Sequence, residues 1–165
     1  MNKLSLFILG FILFPMYIFS QVKTEYADEM PCDINGLKLG YVYTLEQIKK
    51  VLGTPTKVDP THDTEFGKEC EVRFGKDLVR YDDGVAGLYA FILYTNKYTL
   101  HINGVSFNIG DPISKFRSLP IYKREEKENN RVLIFLKYND ATPVIVNISD
   151  SGVITSISFE LSKGI

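Results

Sequence analysis

Two short segments carry the residue types that could do chemistry, and each contains one of the two histidines. In the first, Asp59, His62, Asp63 and Glu65 lie close together in the sequence Asp-Pro-Thr-His-Asp-Thr-Glu. Carboxylate oxygens and an imidazole are ligands that divalent metal ions accept. Their spacing matches no established ligand geometry, and the stretch is polar and interrupted by Pro60. A solvated loop is therefore the favoured interpretation, and no metal site is predicted.

The second histidine, His101, lies in a segment built around Asn103-Gly104, the preferred pair for a two-residue hairpin turn. That turn places His101 opposite Ser106, so a base and a hydroxyl face each other across two strands. A hydrolytic site also needs an acid that orients the histidine and donors for an oxyanion, and neither is visible in the sequence. We therefore predict no catalytic residue and no cofactor. A hydrolase or metal-dependent protein that uses His62 or His101 is the alternative.

The chain opens with a short basic start and an apolar run, Leu4–Phe19. At about 1.5 Å per residue this run spans roughly 24 Å, less than the roughly 30 Å of a bilayer core. Pro15 weakens it further as a helix. We therefore predict a cleaved signal peptide over residues 1–20, an extended arm over residues 21–35, and export to the periplasm or the medium. An uncleaved anchor is the alternative.

Charge and cysteine placement limit the partners. Of the 19 basic side chains only Lys3 precedes residue 21, so 18 basic and 20 acidic side chains follow it. This near-balance gives no electrostatic surface for nucleic acid or an anionic membrane. The first cysteine, Cys32, lies too far from the apolar run to accept a lipid, so we predict no stable membrane anchor after cleavage.

The two cysteines, Cys32 and Cys70, both follow the predicted signal peptide. An even number of cysteines in an exported chain predicts a disulfide. Closing a loop of about 39 residues would stabilise the fold by roughly 4 kcal/mol in the chain-entropy model. Two small buried thiols are the alternative.

The clearest helix follows Gly40. Thr44 with Gln47 three residues later forms a capping-box pattern, and an apolar stripe follows it. Gly53 and Pro55 then end the helix after about two and a half turns. The sequence therefore predicts a short helix with one face to bury.

Most of the remaining sequence alternates between apolar and polar residues, which is typical of strands with one buried face. Asn96-Lys97 predicts a second tight turn, and Ser151-Gly152 predicts a C-terminal hairpin. The charged stretch Lys123–Arg131 is interpreted as a solvated hairpin loop. We therefore predict one α+β domain over residues 36–165, with a predominantly antiparallel sheet and two short helices on one face.

Alternation also assigns a surplus of apolar side chains to the sheet face that the helices do not cover. A soluble protein seldom leaves a large apolar patch exposed, so either this face binds a partner or the sheet curls enough to bury it. Aromatic residues among Ser, Thr and Asn suit a binding surface. The candidate partner-binding residues are Leu88, Ile92, Tyr94, Leu133, Phe135 and Ile145, and Ile154 is assigned to the same face.

The two halves of the chain share a pattern. Asn35-Gly36 leads into the first helix, and Asn103-Gly104 leads into Asp111-Pro112, where Asp at the N-cap and Pro at the first position start a second helix. Each half then continues as strands. This predicts a degenerate tandem repeat of about 70 residues, with halves at about 36–102 and 103–161; coincidence is the alternative.

One segment carries a resemblance to a known group. Leu39-Gly40, Thr44, Glu46, Ile48 and Leu52-Gly53-Thr54-Pro55 resemble the leading motif of small exported α+β repeat proteins, the group of β-lactamase-inhibitor-like proteins and small outer-membrane-assembly lipoproteins. The resemblance covers about 20 residues and has an echo at Ile109-Gly110-Asp111. It implies helices packed on an antiparallel sheet and a non-enzymatic role in binding proteins. This chain differs by lacking the lipid-acceptor cysteine.

These observations predict a non-catalytic module that binds another exported or envelope protein through a sheet face, as an inhibitor, an immunity protein or an assembly factor. The expected mechanism is steric occlusion with aromatic anchors. A homo-oligomer that uses the same face is a further possibility.

Overall fold

A computed structural model describes residues 31–64, 67–82, 87–137 and 139–161. For residues 61–64, 67 and 139–141 it describes the backbone alone. The predicted signal peptide, residues 21–30 of the predicted arm, and the side chains of His62, Asp63 and Glu65 lie outside the described residues. Residues 32–34 of that arm form a strand.

The chain folds mainly into short strands. They are β1 (Cys32–Ile34), β2 (Leu37–Lys38), β3 (Lys57–Thr64), β4 (Gly67–Phe74), β5 (Asp77–Asp82), β6 (Leu88–Leu93), β7 (Leu100–Ile102), β8 (Val105–Phe107), β9 (Tyr122–Glu128), β10 (Arg131–Leu136), β11 (Asn139–Ile148) and β12 (Ile154–Glu160). The helices are α1 (Leu45–Leu52) and a 3-10 helix (Ile113–Ser118).

The strands form two sheets, and every pair is antiparallel. The small sheet has the order β2-β1-β7-β8, and the large sheet has the order β3-β4-β5-β6-β12-β11-β10-β9. The α+β class, with mostly antiparallel strands and two short helices, is therefore confirmed. The sequence did not indicate the division into two sheets.

Helix α1 has the predicted caps. The Thr44 hydroxyl accepts a hydrogen bond from the Gln47 amide, and the Gln47 side chain accepts one from the Thr44 amide, at 3.2 and 2.7 Å. At the other end the Tyr98 hydroxyl donates to the Leu52 carbonyl at 2.8 Å, which satisfies a carbonyl that the helix leaves without a partner. Ile48 and Leu52 are the buried positions of the helix.

The hairpin at Asn103-Gly104 also has the predicted register, with Leu100 opposite Phe107 and His101 opposite Ser106. Asn103 and Gly104 have φ angles of 47° and 80°, as a turn with positive φ at both positions requires. This prediction is therefore confirmed. It could be made from the sequence because all of its determinants lie within a few residues.

The expected hairpin at Asn96-Lys97 is wrong, because β6 and β7 belong to different sheets. The connection is held by Asp77, which is 1% exposed. Its carboxylate accepts hydrogen bonds from the Tyr94 amide at 2.6 Å, the Thr95 amide at 3.0 Å and the Thr95 hydroxyl. A buried acid therefore fixes the place where the chain crosses between sheets.

Two bulges move predicted surface residues into the core. In β6, Ala90 pairs with Arg80 but Leu88 pairs with Tyr81, so Tyr89 is an extra residue. An extra residue reverses the alternation beyond it. Leu88, assigned to the uncovered face from the sequence, is consequently 0% exposed in the core.

The second bulge lies in β12. Ser156 pairs with Asn147 but Ile154 pairs with Ile148, so Thr155 is the extra residue. Ile154 is therefore 1% exposed in the core, not on the uncovered face as its parity predicted.

Most of the charged stretch Lys123–Arg131 is not a loop. Tyr122–Glu128 is strand β9, at the edge of the large sheet, and only residues 129–130 turn before β10. Charged edge strands prevent pairing with other chains, and they lack the alternation that marks half-buried strands.

The second helix begins one residue later than predicted. Pro112 occupies the N-cap position without a side-chain cap. The Asp111 carboxylate instead accepts from the Asn108 amide at 3.0 Å and from Lys115 Nζ at 2.7 Å. Burial tends to raise the pKa of Asp111, but these hydrogen bonds and the charge of Lys115 outweigh it and lower the pKa.

The helices and the small sheet all lie on one face of the large sheet. A single core cluster contains Ile48 and Leu52 of α1, Phe116 of the 3-10 helix, Ile34 and Leu100 of the small sheet, and one face of the large sheet. Phe107 and Phe116 stack at 4.1 Å between ring centroids. Within the described residues, no helix is long and apolar enough to cross a membrane.

Candidate functional site

The other face of the large sheet is the candidate functional site, and we call it the open face. Both described helices and all four strands of the small sheet contribute buried residues to the core on the opposite side. None of these described elements is therefore left to cover the open face.

A row of directly paired residues crosses the open face from edge to edge. In order it is Lys57, Arg73, Leu78, Ile92, Ser158, Ile145, Leu133 and Glu126. The centre of the row is apolar apart from one serine, and its ends are charged. With strands about 4.8 Å apart, the distance from Leu78 to Leu133 is roughly 19 Å.

The apolar strip, which we define as Leu78, Ile92, Leu133, Phe135 and Ile145, is shielded to different degrees. Leu78 and Phe135 are 5% and 8% exposed, whereas the other three are half-buried. Neither Leu78 nor Phe135 belongs to the core cluster. Neighbouring side chains account for part of this shielding, since the Arg124 guanidinium carbon lies 3.7 Å from the centre of the Phe135 ring.

The charges around the strip are paired with one another. Glu71, 7% exposed, accepts from Arg80 Nε at 3.0 Å and also pairs with Arg73. Arg80 reaches Glu160 at 3.2 Å as well. Another pair, Arg124 with Glu126, lies on β9. The open face therefore has an apolar centre, and the acidic and basic side chains at its borders form ion pairs with one another.

Tyr94 is an exposed aromatic residue directly after the end of β6, two positions beyond Ile92. It is 48% exposed, the highest value among the large hydrophobic residues that the structure describes as exposed. It lines a shallow depression of about 490 Å³ together with Thr95, Ile109 and Thr155. This depression has no charged lining residue among those described.

The bulge residue Tyr89 has a pKa that is shifted by burial and by nearby charged side chains. Burial first, and then Glu160, raise the pKa of its phenol to about 12. Because the unfolded value is about 10, the folded state holds this proton more tightly. Its contribution to stability is therefore complete below pH 10 and is lost as the pH rises through 12.

This gives a first prediction. Between pH 10 and 12 the wild type should lose about 2 kcal/mol more of its free energy of unfolding than Tyr89→Phe loses. Urea denaturation at a series of pH values measures both curves. Parallel stability curves for the two proteins across this range would contradict the raised pKa of Tyr89.

His101 has the orienting acid that the sequence did not reveal. Its Nδ1 lies 2.9 Å from Asp33 Oδ1, which also accepts from the Gly36 amide at 2.7 Å. Asp33, His101 and Ser106 are direct neighbours across three strands. Within the described part of the chain, however, no hydrogen bond joins His101 to Ser106. The structure therefore forms a carboxylate–histidine pair between Asp33 and His101.

The stretch that holds the metal candidate forms strand β3 up to Thr64, so the predicted solvated loop is wrong there, and its side chains are only partly described. Asp59, the member whose side chain is described, pairs with Lys57 Nζ at 2.6 Å. Among the described residues no group of three or more His, Cys, Asp or Glu side chains could hold a metal ion.

Cys32 and Cys70 are free thiols in the structure, so the predicted disulfide is not formed here. Cys32 is part of the core cluster. Cys70, on β4, is partly buried and packs against that cluster. Burial raises the pKa of the Cys32 thiol well above its usual value, and the charge of Asp33 adds to this.

A second prediction follows from this burial. In the purified protein, without added reductant, Cys32 should react with a thiol reagent at least about 100-fold more slowly before unfolding than after it. Two thiols should be counted in urea. A count of zero in urea would instead establish the disulfide that the sequence predicts.

The sequence analysis missed several residues of the open face. Leu78 and Arg80 alternate with the core residues Val79 and Tyr81. That alternation in β5 was a usable signal for Leu78. In contrast, no local signal marks Asp33 as the partner of His101, because 68 residues separate them.

The fold and this face define an α+β protein in which helices and a small sheet cover one side of an eight-stranded antiparallel sheet. No protein-family model, no curated protein and no solved structure matches the chain.

Proposed function

We propose that this chain is an exported, non-catalytic module that binds another exported or envelope protein on the apolar strip of its open face. The observation that carries the proposal is a line of large apolar side chains from four of five adjacent strands, interrupted by Ser158 of β12, on the side of the sheet opposite the helices. An apolar centre with a polar rim is the usual anatomy of a protein interface.

The kind of contact follows from the position of the strip. Strands β5, β6, β12, β11 and β10 each have a partner on both sides, so their backbone groups are already used. A partner therefore binds to side chains and does not add a strand. The paired border charges offer no net charge to nucleic acid or an anionic membrane.

The role is that of an inhibitor, an immunity protein or an assembly factor, as the resemblance of residues 39–55 implies. Occupying a partner's surface requires no chemistry of its own. Tyr94, an exposed aromatic two residues after Ile92, is suited to be an anchor.

We also propose that the chain is a tandem duplication whose two halves share the open face equally. The turns Asn35-Gly36 and Asn103-Gly104 both have positive φ at each position. In the small sheet the pairing of β1 with β7 is symmetric about Asp33 and His101. In the large sheet β6 and β12, the last strand that each proposed half contributes to it, pair with each other, with Ile92 opposite Ser158.

Backbone hydrogen bonds that repeat in both halves support the same proposal. The Gly40 amide donates to the Leu88 carbonyl at 2.8 Å, and the Gly110 amide donates to the Ile154 carbonyl at 2.9 Å. The amides of Leu88 and Ile154 in turn donate to the residues after those glycines. An experimental structure in which the halves do not superpose under a two-fold rotation would contradict duplication.

Site-specific photocrosslinking tests the binding role. A photoreactive residue at position 92 or 145 should capture the same protein in intact cells, whereas position 58 should not capture it. Val58 is a matched control because it is 37% exposed yet pairs with the core residue Val72, on the covered side. The captured protein, once identified and purified, must bind the wild type directly. Equal capture from position 58 would count against the open face.

A further inference from the structure

A second concave site lies on the covered side of the molecule. It is a cleft of about 510 Å³ between the β1–β2 turn and α1. Binding sites for small molecules range from roughly 300 to 1,000 Å³ and are lined mainly by apolar groups. We propose that this cleft binds a small uncharged molecule with an aromatic or branched alkyl body and one hydrogen-bond acceptor.

The lining supplies the apolar contacts. Leu37 and Tyr43, each 2% exposed, are buried lining residues, and Val51 of α1 is 39% exposed. Leu45, Ile48 and Leu52 of the same helix contact the core. Val51 is therefore the apolar residue of α1 that is left for a ligand.

The rim selects against a charged ligand. The amide of Thr44 donates to Gln47 Oε1, and the amide of Gly36 donates to Asp33 Oδ1, so neither is available to an anion. The charged lining residues, Glu46 and Lys50, have opposite signs. Glu46 is also paired with Lys49 at 2.7 Å.

Tyr43 supplies one donor. Its hydroxyl oxygen accepts from the Lys38 amide at 2.8 Å, and among the described residues its hydrogen has no acceptor. A buried donor usually finds a partner. Burial also raises the pKa of Tyr43, so the phenol keeps its proton at neutral pH. An acceptor on the ligand would complete this hydrogen bond.

This site is independent of the proposed protein-binding role. Its residues belong to α1, to the small sheet and to the segment that joins them, whereas the apolar strip lies on the opposite face of the large sheet. Failure of one proposal therefore leaves the other standing.

Titration with a pair of isosteric probes tests the cleft. We expect 2-acetylnaphthalene to bind the purified protein saturably and one to one, and to shift the NMR signals of the Val51 methyl groups. Val51→Arg should weaken its binding at least about 10-fold, because the charged chain fills an apolar site. Val58→Arg, at an equally exposed valine, should change it less than about 2-fold.

A second variant tests the hydrogen bond. Tyr43→Phe should weaken binding of 2-acetylnaphthalene by about 2- to 10-fold and leave 2-isopropylnaphthalene, which has no acceptor, unchanged. Equal weakening of both probes would overturn the role of the hydroxyl. Absence of saturable binding, or equal effects of Val51→Arg and Val58→Arg, would overturn the site itself.

Discussion

Replacing Ile92 by aspartate is expected to weaken binding of the protein partner at least about 100-fold, or roughly 2.7 kcal/mol. Ile92 lies at the centre of the apolar strip, between Leu78 on one side and Ser158 on the other. A charge there would have to be buried without a counter-ion when the partner binds. Interface centres, where water is excluded, carry most of the binding energy. Isothermal titration with the purified partner measures the loss.

Two controls separate a lost interface from a lost fold. Ile92→Ser creates a serine opposite Ser158 without adding a charge, and it should weaken binding by a smaller factor. Val58→Asp places the same charge on the covered side at the sheet edge and should leave the affinity within about 3-fold. All three variants should keep the circular dichroism of the wild type. An unchanged affinity for folded Ile92→Asp would contradict the proposed surface.

The largest expected loss of stability belongs to Gly87→Ala, at about 3 kcal/mol or more. Gly87 has φ of +60°, and a Cβ atom there would lie 2.3 Å from the Tyr41 carbonyl oxygen and 2.8 Å from the Val42 nitrogen. Both are backbone atoms. They cannot move freely, because the Tyr41 carbonyl accepts from the Leu88 amide at 2.8 Å. Urea denaturation followed by circular dichroism measures the change.

Gly75→Ala is the matched control for this prediction. Gly75 has a similar φ of +74°, but a Cβ atom there would meet nothing within 4 Å. Its cost should be that of the left-handed conformation alone, about 1 kcal/mol. The difference between the two variants therefore isolates the contact with Tyr41. Equal losses would show that this close approach does not exist in solution.

The parts of the fold that the sequence predicted correctly have local determinants. The capping box of α1 needs Thr44 and Gln47, three residues apart. The Asn103-Gly104 hairpin has its turn and both strands within eight residues. In each case the hydrogen bonds and the apolar pattern lie inside one short window, so no knowledge of distant residues was required.

The errors arose where one residue or one distant pairing decides the outcome. Alternation assumes a regular ladder, and the bulges at Tyr89 and Thr155 reverse it, which moves Leu88 and Ile154 into the core. The crossing between the sheets after β6 depends on the buried carboxylate of Asp77, 17 residues away along the chain. No pattern within residues 91–98 alone indicates that Asp77 binds the backbone there.

The candidate site was predictable to the same extent. Ile92, Leu133 and Ile145 lie on the predicted face because their strands alternate without interruption near them, whereas Phe135 borders a register shift in β10 and Tyr94 follows the end of β6. Whether a partner occupies these residues stays a prediction. The paired borders of the face could not be foreseen, because Arg80 and Glu160 lie on strands far apart in the sequence.

Methyl NMR of the complex tests the central claim most directly. With the identified partner protonated and this protein deuterated except at its methyl groups, saturation should pass from the partner to the methyls of Leu78, Ile92, Leu133 and Ile145. It should not reach those of Val51 or Val58, which are exposed on other parts of the molecule. Transfer to Val51 or Val58, with none to the four strip residues, would contradict docking on the open face.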